Sequence, residues 1–145
     1  MEKIIVSACL LGIPCRYDGK SKPVNEVISL QEKYELIPIC AETLGGLPIP
    51  RVPAEIVGNN VIRKDGVDVT YEYNKGANEV LRIAIQNGCT KAILKAKSPS
   101  CGKGQIYDGT YSGVLTEGNG VLTDLLIKNN IKVYTETEID KIWKL

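Results

Sequence analysis

The stretch Ile4-Ile5-Val6-Ser7-Ala8-Cys9 is an apolar, largely β-branched run that leads into a cysteine. Two later segments repeat this arrangement, Leu36-Ile37-Pro38-Ile39-Cys40 and Ala92-Ile93-Leu94-Lys95-Ala96-Lys97-Ser98-Pro99-Ser100-Cys101. In an open α/β sheet, parallel strands bring their carboxyl ends to one edge, and ligands bind there. The three cysteines are therefore expected to converge at that edge, although they lie far apart in the sequence.

Strands and helices alternate along the rest of the chain. Strands are predicted at 3–8, 35–39, 91–96 and 131–134, and helices at 24–33, 70–87, 120–130 and 136–144. The helix at 70–87 shows the 3.6-residue apolar period, with Thr70 as its N-cap and Gly88 as its stop. This alternation predicts parallel βαβ units in a single domain, 1–145. The expected fold class is α/β, a layered sandwich with a mostly parallel central sheet, Rossmann-like.

Three further segments do not fit the alternation of strands and helices. Residues 41–54 contain adjacent glycines and three prolines and are predicted to form a long ordered loop. Residues 55–69 are predicted to form a hairpin or an excursion of the chain, and residues 97–120 are polar and rich in glycine. Loops as long as 41–54 and 97–120 are usually functional, so the site residues are expected to lie there.

Composition limits the possible partners and locations. The 145 residues carry a net charge of +1, which gives no support for a nucleic-acid partner. No apolar run approaches the ~20 residues of a membrane span, so no membrane partner is expected. The chain starts Met1-Glu2-Lys3 and enters a strand at once, unlike a signal peptide. A cytoplasmic location is therefore expected.

Five cysteines stand beside a complete absence of histidine. Without histidine, a Ser-His-Asp triad, a Cys-His pair and a His-ligated zinc centre are all excluded. Thiolates are soft ligands that suit an iron–sulfur cluster or zinc. Cys89 precedes its strand rather than following it, so it is expected to be a small buried residue outside the site.

Polar residues accompany the first two of the three cysteines. Cys15 lies six residues after Cys9 and is followed directly by Arg16, Tyr17 and Asp18. That group is either part of a site or an ordinary surface turn. In the second motif, Glu42 lies two residues after the thiol of Cys40, and its alternative role is to cap a helix.

The third motif is Lys97-Ser98-Pro99-Ser100-Cys101-Gly102-Lys103-Gly104. A hydroxyl next to the thiol and two nearby lysines are expected to lower the pKa of the Cys101 thiol. A phosphate-binding loop is the competing interpretation, but the Walker spacing is missing.

Taken together, the strings SACLLG…CRYDG, C-x-E-x-x-GGLPIPR-x-P-x-E and KxxSPSCG resemble domain-of-unknown-function family 523, the thiouracil desulfidase-like iron–sulfur proteins. The resemblance spans nearly the whole chain and uses three separated signatures in order. It implies a [4Fe-4S] cluster held by only three cysteines, with a fourth iron that accepts sulfur. The implied reaction is the non-redox desulfuration of a 2-thiouracil-like nucleobase, and the implied partner is that small thiolated substrate.

Carried over position by position, the resemblance implies Cys9, Cys40 and Cys101 as the cluster ligands. Cys15 stands where relatives can carry a non-ligating residue, so it is placed beside the cluster. Glu42 matches the family's acidic residue and Ser100 the serine before the third ligand. Ala41 replaces a usual proline, which is expected to loosen the loop near Glu42.

The chemistry of such a site assigns further roles. Without histidine, Glu42 is the best candidate for the base that activates water, and Ser100 for a group that relays a proton or orients substrate. Arg16 and Asp18 are candidates for substrate binding. Two other readings stay open, a cluster-bearing sulfur carrier without catalysis and a structural zinc protein with four thiolate ligands that include Cys15.

Overall fold

A computed structural model describes residues 1–145, and its secondary structure alternates largely as the sequence predicts. The strands are β1 (Lys3–Ser7), β2 (Glu35–Ile39), β3 (Ala54–Val57), β4 (Asn60–Arg63), β5 (Lys91–Leu94), β6 (Gln105–Tyr107), β7 (Leu115–Glu117) and β8 (Lys132–Thr135). The helices are α1 (Asn25–Ile28), α2 (Ala41–Leu44), α3 (Thr70–Gln86), α4 (Val121–Lys128) and α5 (Ile139–Trp143). Two 3₁₀ turns, Ala8–Leu11 and Ser29–Glu32, complete the list.

Four parallel strands form the central sheet in the order β2-β1-β5-β8. Strand β2 is an edge strand, which explains why Pro38 is tolerated within it. The pairs β3–β4 and β6–β7 are separate antiparallel hairpins. The α/β class with a parallel central sheet is thus confirmed.

The core lies on both faces of this sheet because side chains alternate along each strand. Ile5, Ala92 and Leu94 are buried on the face that packs against α3 and α4. Ile4, Val6 and Ile93 are buried on the opposite face, which packs against α1 and α5. The result is a three-layer sandwich whose strand ends are open along one edge.

Several predicted boundaries were wrong because interactions beyond the local pattern decided them. The strand expected at 3–8 ends at Ser7, and Cys9 lies in the 3₁₀ turn that follows. The loop expected at 41–54 begins with helix α2, and the segment 97–120 contains the β6–β7 hairpin. The helix expected at 24–33 is split into α1 and a 3₁₀ turn. Thr70 does not cap α3, because its hydroxyl accepts the backbone N–H of Val61 instead.

A close contact between two glycines fixes helix α2 against α3. A Cβ atom on Gly45 would lie 2.0 Å from the carbonyl oxygen of Glu72, and one on Gly76 would lie 1.8 Å from that of Ala41. Both distances are far inside van der Waals contact, so only glycine permits this approach. Ala41 itself is buried, which means that packing holds the segment after Cys40.

The segment that carries Cys101 is anchored from the C-terminal part of the chain. Lys103 donates to Glu138 at 2.9 Å, and Lys95 pairs with Glu136 at 3.0 Å. Burial alone would raise the pKa of Glu138, but hydrogen bonds from Lys103 and Lys141 outweigh it and hold that pKa at about 2. Glu138 therefore stays ionised and keeps this loop in place.

Candidate functional site

A cavity of about 370 Å³ opens at the carboxyl edge of the sheet. Its lining includes the loops after β1, β2 and β5, as expected for an open α/β sheet. Four cysteines contribute to the wall, Cys9, Cys15, Cys40 and Cys101. The predicted convergence of three distant thiols is therefore present in the structure, while Cys89 lies away from the cavity in the core beneath α3.

Hydroxyl groups point at two of the thiol sulfurs. Cys101 Sγ accepts hydrogen bonds from Ser7 Oγ at 3.5 Å and from Ser100 Oγ at 3.6 Å. Cys40 Sγ accepts a hydrogen bond from Thr43 Oγ1 at 3.2 Å. Donors of this kind stabilise sulfur that carries negative charge, as in a metal-bound thiolate.

Burial nonetheless keeps both thiols protonated in the free protein. It raises the pKa of the Cys101 thiol to about 11, against the lowering hydrogen bonds of Ser7 and Ser100. The prediction of a lowered pKa for Cys101 was therefore wrong, because desolvation outweighs the neighbouring hydroxyls and lysines. A hydrogen bond with Cys15, together with burial, also raises the pKa of the Cys40 thiol.

The carboxylate of Glu42 receives three donors from three separate parts of the chain. Tyr73 Oη donates to Oε1 at 2.8 Å, and Arg51 Nε donates to the same oxygen at 3.1 Å. Ser100 Oγ donates to the other oxygen, Oε2, at 2.9 Å. The two oxygens thus have different hydrogen-bond environments, since Oε1 accepts from two donors and Oε2 accepts from the serine beside Cys101.

Arg51 ties this carboxylate to the loop that carries Cys15. Its Nη2 donates to the carbonyl of Cys15 at 3.0 Å and its Nη1 to that of Pro48 at 3.2 Å. The Arg51 side chain is only 6% exposed, and Glu42 is its ion-pair partner. A buried charge needs such compensation, so the pair stabilises both its members and the cavity wall.

Of the two predicted substrate-binding residues Arg16 and Asp18, the structure places only one in the cavity. Arg16 lines the cavity, but Asp18 does not. Asp18 lies 4.0 Å from the guanidinium of Arg16 and accepts the backbone N–H of Lys20. Asp18 therefore stabilises the turn that carries Arg16.

Sequence reasoning did not assign roles to Arg51 or Tyr73. Arg51 ends the string GGLPIPR, but nothing local indicates that it pairs with Glu42. Tyr73 lies on the face of α3 that also buries Ala77 and Val80, with a side chain 3% exposed. A phenol on an apolar helix face needs a buried hydrogen-bond partner for its hydroxyl. The position of Tyr73 on that face could therefore have indicated a buried polar contact.

The donor set fits an iron–sulfur cluster. Cys9, Cys40 and Cys101 surround one cavity from three loops, and two of them already receive hydroxyl donors. No three Cys, Asp or Glu side chains lie close enough to hold a single metal ion. A cluster does not require such closeness, because each thiolate binds a different iron.

The fold and site define a class, α/β proteins with a cysteine-lined cavity suited to a metal cluster beside a carboxylate–serine pair. Residues 4–138 match the family model for 2-thiouracil desulfurase. The chain belongs to the 2-thiouracil desulfurase family. It is also 38% identical, over 96% of its length and 99% of the relative's, to the uncharacterized protein YbbK of Bacillus subtilis (strain 168).

A solved structure supports the same placement. The chain resembles a [4Fe-4S]-dependent thiouracil desulfidase, TudS, with a TM-score of 0.93 and 45% identity. The match covers 97% of this chain and 95% of that one. The α/β fold and the family resemblance expected from the sequence are both confirmed.

Proposed function

We propose that this protein is a desulfidase that uses a [4Fe-4S] cluster to remove sulfur from a thiolated nucleobase such as 2-thiouracil. The observation that carries the proposal is the position of the Glu42–Ser100 pair in the wall of the cavity that four cysteines line. Family membership and the similarity to TudS support the same reaction and cofactor.

Cys9, Cys40 and Cys101 are the proposed ligands of the cluster. When bound, the cluster supplies a thiophilic iron that polarises a thiocarbonyl group. The hydroxyls of Ser7, Ser100 and Thr43 already donate toward two of the sulfurs. They offset the negative charge of the thiolates without a separate cation.

Glu42 is the proposed general base. Its Oε2 lies 2.9 Å from Ser100 Oγ, so a water at the serine can pass its proton to Ser100 while the serine proton moves to Oε2. Water next to Oε2 can also be deprotonated directly. In both cases the hydroxide forms in the cavity that would hold the substrate, at the wall formed by Glu42, Ser100 and Cys101.

Arg51 and Tyr73 are proposed to hold that base in place. Both donate to Oε1, which leaves Oε2 directed at Ser100. Burial, followed by the charge of Glu42, raises the pKa of Tyr73 strongly, so this phenol remains a neutral donor. A fixed carboxylate avoids reorganisation when the proton is transferred.

Substrate contacts are proposed for the outer part of the cavity. Arg16 lines it, and Asp18 is assigned to hold Arg16 in position. Cys15 is placed beside the cluster. The proposed substrate is a small thiolated molecule, with no nucleic-acid partner, in keeping with the net charge of +1.

No helix in the structure has the length and apolarity needed to cross a membrane. A cytoplasmic location is part of the proposal, in keeping with the proposed oxygen-sensitive cluster and with an odd number of cysteines that the fold does not need as disulfides.

The test is anaerobic assay of sulfide and uracil release from 2-thiouracil by cluster-loaded protein. Wild type is expected to release both, and Ser100→Ala to be slower while keeping the cluster absorbance. Ser29→Ala, whose hydroxyl bonds only to the Glu26 carbonyl, is the matched control and should equal wild type. Fully loaded wild type that releases no sulfide from any thiolated pyrimidine would reject the enzyme and leave the sulfur-carrier reading.

A further inference from the structure

Cys15 is a cavity thiol to which the proposed reaction gives no chemical task. It is 6% exposed and lies directly against the proposed ligand Cys40. Cys40 Sγ donates to the carbonyl oxygen of Cys15 at 3.8 Å, and the Cys15 thiol neighbours the thiols of both Cys40 and Cys9. Two thiols in contact have the separation from which a disulfide can form with only small movements.

The loop that carries Cys15 is held in this position. Arg51 Nη2 donates to the Cys15 carbonyl at 3.0 Å, and the Cys15 N–H donates to Ile13 at 2.8 Å. On the other side, α2 is fixed against α3 by the contact between Gly45 and the backbone of Glu72. The pairing of Cys15 with Cys40 is therefore built into the packing of two elements.

Access to the two sulfurs differs. Both residues line the cavity, but Cys40 is partly exposed and Cys15 is buried. A small oxidant that enters the cavity meets Cys40 first. Cys15 is then positioned to react with the oxidised sulfur, which is the arrangement of a reactive and a resolving cysteine.

We propose that Cys15 and Cys40 form a reversible disulfide when the protein is without its cluster and meets a peroxide. The Cys40 sulfur attacks hydrogen peroxide and becomes a sulfenic acid, while its proton joins the released hydroxide to give water. The Cys15 sulfur then attacks this sulfur, and the hydroxyl leaves as water. Overall two thiols are oxidised to one disulfide, and one peroxide is reduced to two waters. A dithiol reductant restores both thiols.

The consequence rests on the proposed function, since it matters only if Cys40 is a cluster ligand. The disulfide would protect that ligand from irreversible oxidation to a sulfinic acid, and it would have to be reduced before a cluster is inserted. The bond itself is tested in full-length cluster-free protein. Its failure is thus separate from a failure of the desulfidase assay.

Tryptic peptides report the pairing directly. Cleavage after Lys3 and Arg16 gives a peptide of residues 4–16 that holds both Cys9 and Cys15, and cleavage after Lys33 and Arg51 gives one of residues 34–51 that holds Cys40. After one equivalent of hydrogen peroxide, mass spectrometry should find these two peptides linked. The link should persist in Cys9→Ala, vanish in Cys15→Ala, and disappear on reduction.

Cys89→Ala is the matched control, because it removes a cysteine outside the cavity and should leave the linked peptide unchanged. After peroxide and then reductant, wild type should recover its full thiol count, and Cys15→Ala should show several-fold more sulfinic acid at Cys40. The proposal is overturned by a disulfide confined to residues 4–16, by a link that survives in Cys15→Ala, or by sulfinic Cys40 beside free Cys15 in wild type. Fragment ions of the linked wild-type peptides place the bond at Cys9 or at Cys15, so a variant that fails to fold does not obscure the result.

Discussion

Replacement of Glu42 by glutamine tests the proposed base while it disturbs the fold little. The amide oxygen can take the Oε1 position and still accept from Tyr73 and Arg51, and the amide nitrogen can donate to Ser100 Oγ. Shape and hydrogen bonds are therefore kept. What disappears is the negative charge and the ability to take a proton from water.

The expected loss of turnover on 2-thiouracil is ~10²–10⁴-fold, the usual contribution of a positioned general base. This corresponds to about 3–5 kcal/mol in the activation barrier. Stability should also fall, because Arg51 is 6% exposed and loses its counter-charge. Its two carbonyl acceptors remain, so the cost in unfolding free energy should be about 1–3 kcal/mol rather than that of an isolated charge.

The assay measures sulfide release per cluster under anaerobic conditions, together with the cluster absorbance and the thermal midpoint. Tyr73→Phe is the matched control, since it removes one donor to Oε1 but keeps the carboxylate. Its turnover should fall far less than that of Glu42→Gln. A Glu42→Gln enzyme with a full cluster and a rate within about threefold of wild type would reject Glu42 as the base.

Three further outcomes are expected. Anaerobic reconstitution should fail to give the brown absorbance when alanine replaces Cys9, Cys40 or Cys101. Cys89→Ala should give the absorbance in full. A ligand variant that keeps the absorbance would contradict the assignment. Gly76→Ala places a methyl 1.8 Å from the carbonyl oxygen of Ala41, so the free energy of unfolding should fall by about 1–3 kcal/mol or more, with a lower thermal midpoint. An unchanged midpoint would contradict the helix contact. Glu138 has a folded-state pKa of about 2, below the ordinary 4.5, so its ionised form stabilises the fold fully above about pH 4.5 and progressively less as the pH falls toward 2. The difference in unfolding free energy between wild type and Glu138→Gln should accordingly shrink across that window in acid titrations, and a constant difference would refute the role of the carboxylate.

The sequence alone was sufficient for the sheet and for the neighbourhood of the site. Neighbouring apolar residues such as Ile4 and Ile5 belong to one short segment and are buried on opposite faces of the sheet. Such a strand can be predicted from its own residues, without knowledge of the rest of the chain. The carboxyl end of each central strand was also predicted to within two residues. Because parallel strands end at one edge, three cysteines in three strand-end segments were enough to predict one shared cavity.

The tertiary structure decided which side chains act on each other within that cavity. Glu42 is held by Tyr73, 31 residues away, and by Ser100, 58 residues away, and no local period encodes either pairing. The pairing with Tyr73 depends on how closely α2 packs against α3, a distance set by the absence of a Cβ atom at Gly45 and Gly76. Local periodicity specifies which face of an element is buried, whereas the partner of a buried polar group is settled only when distant elements pack.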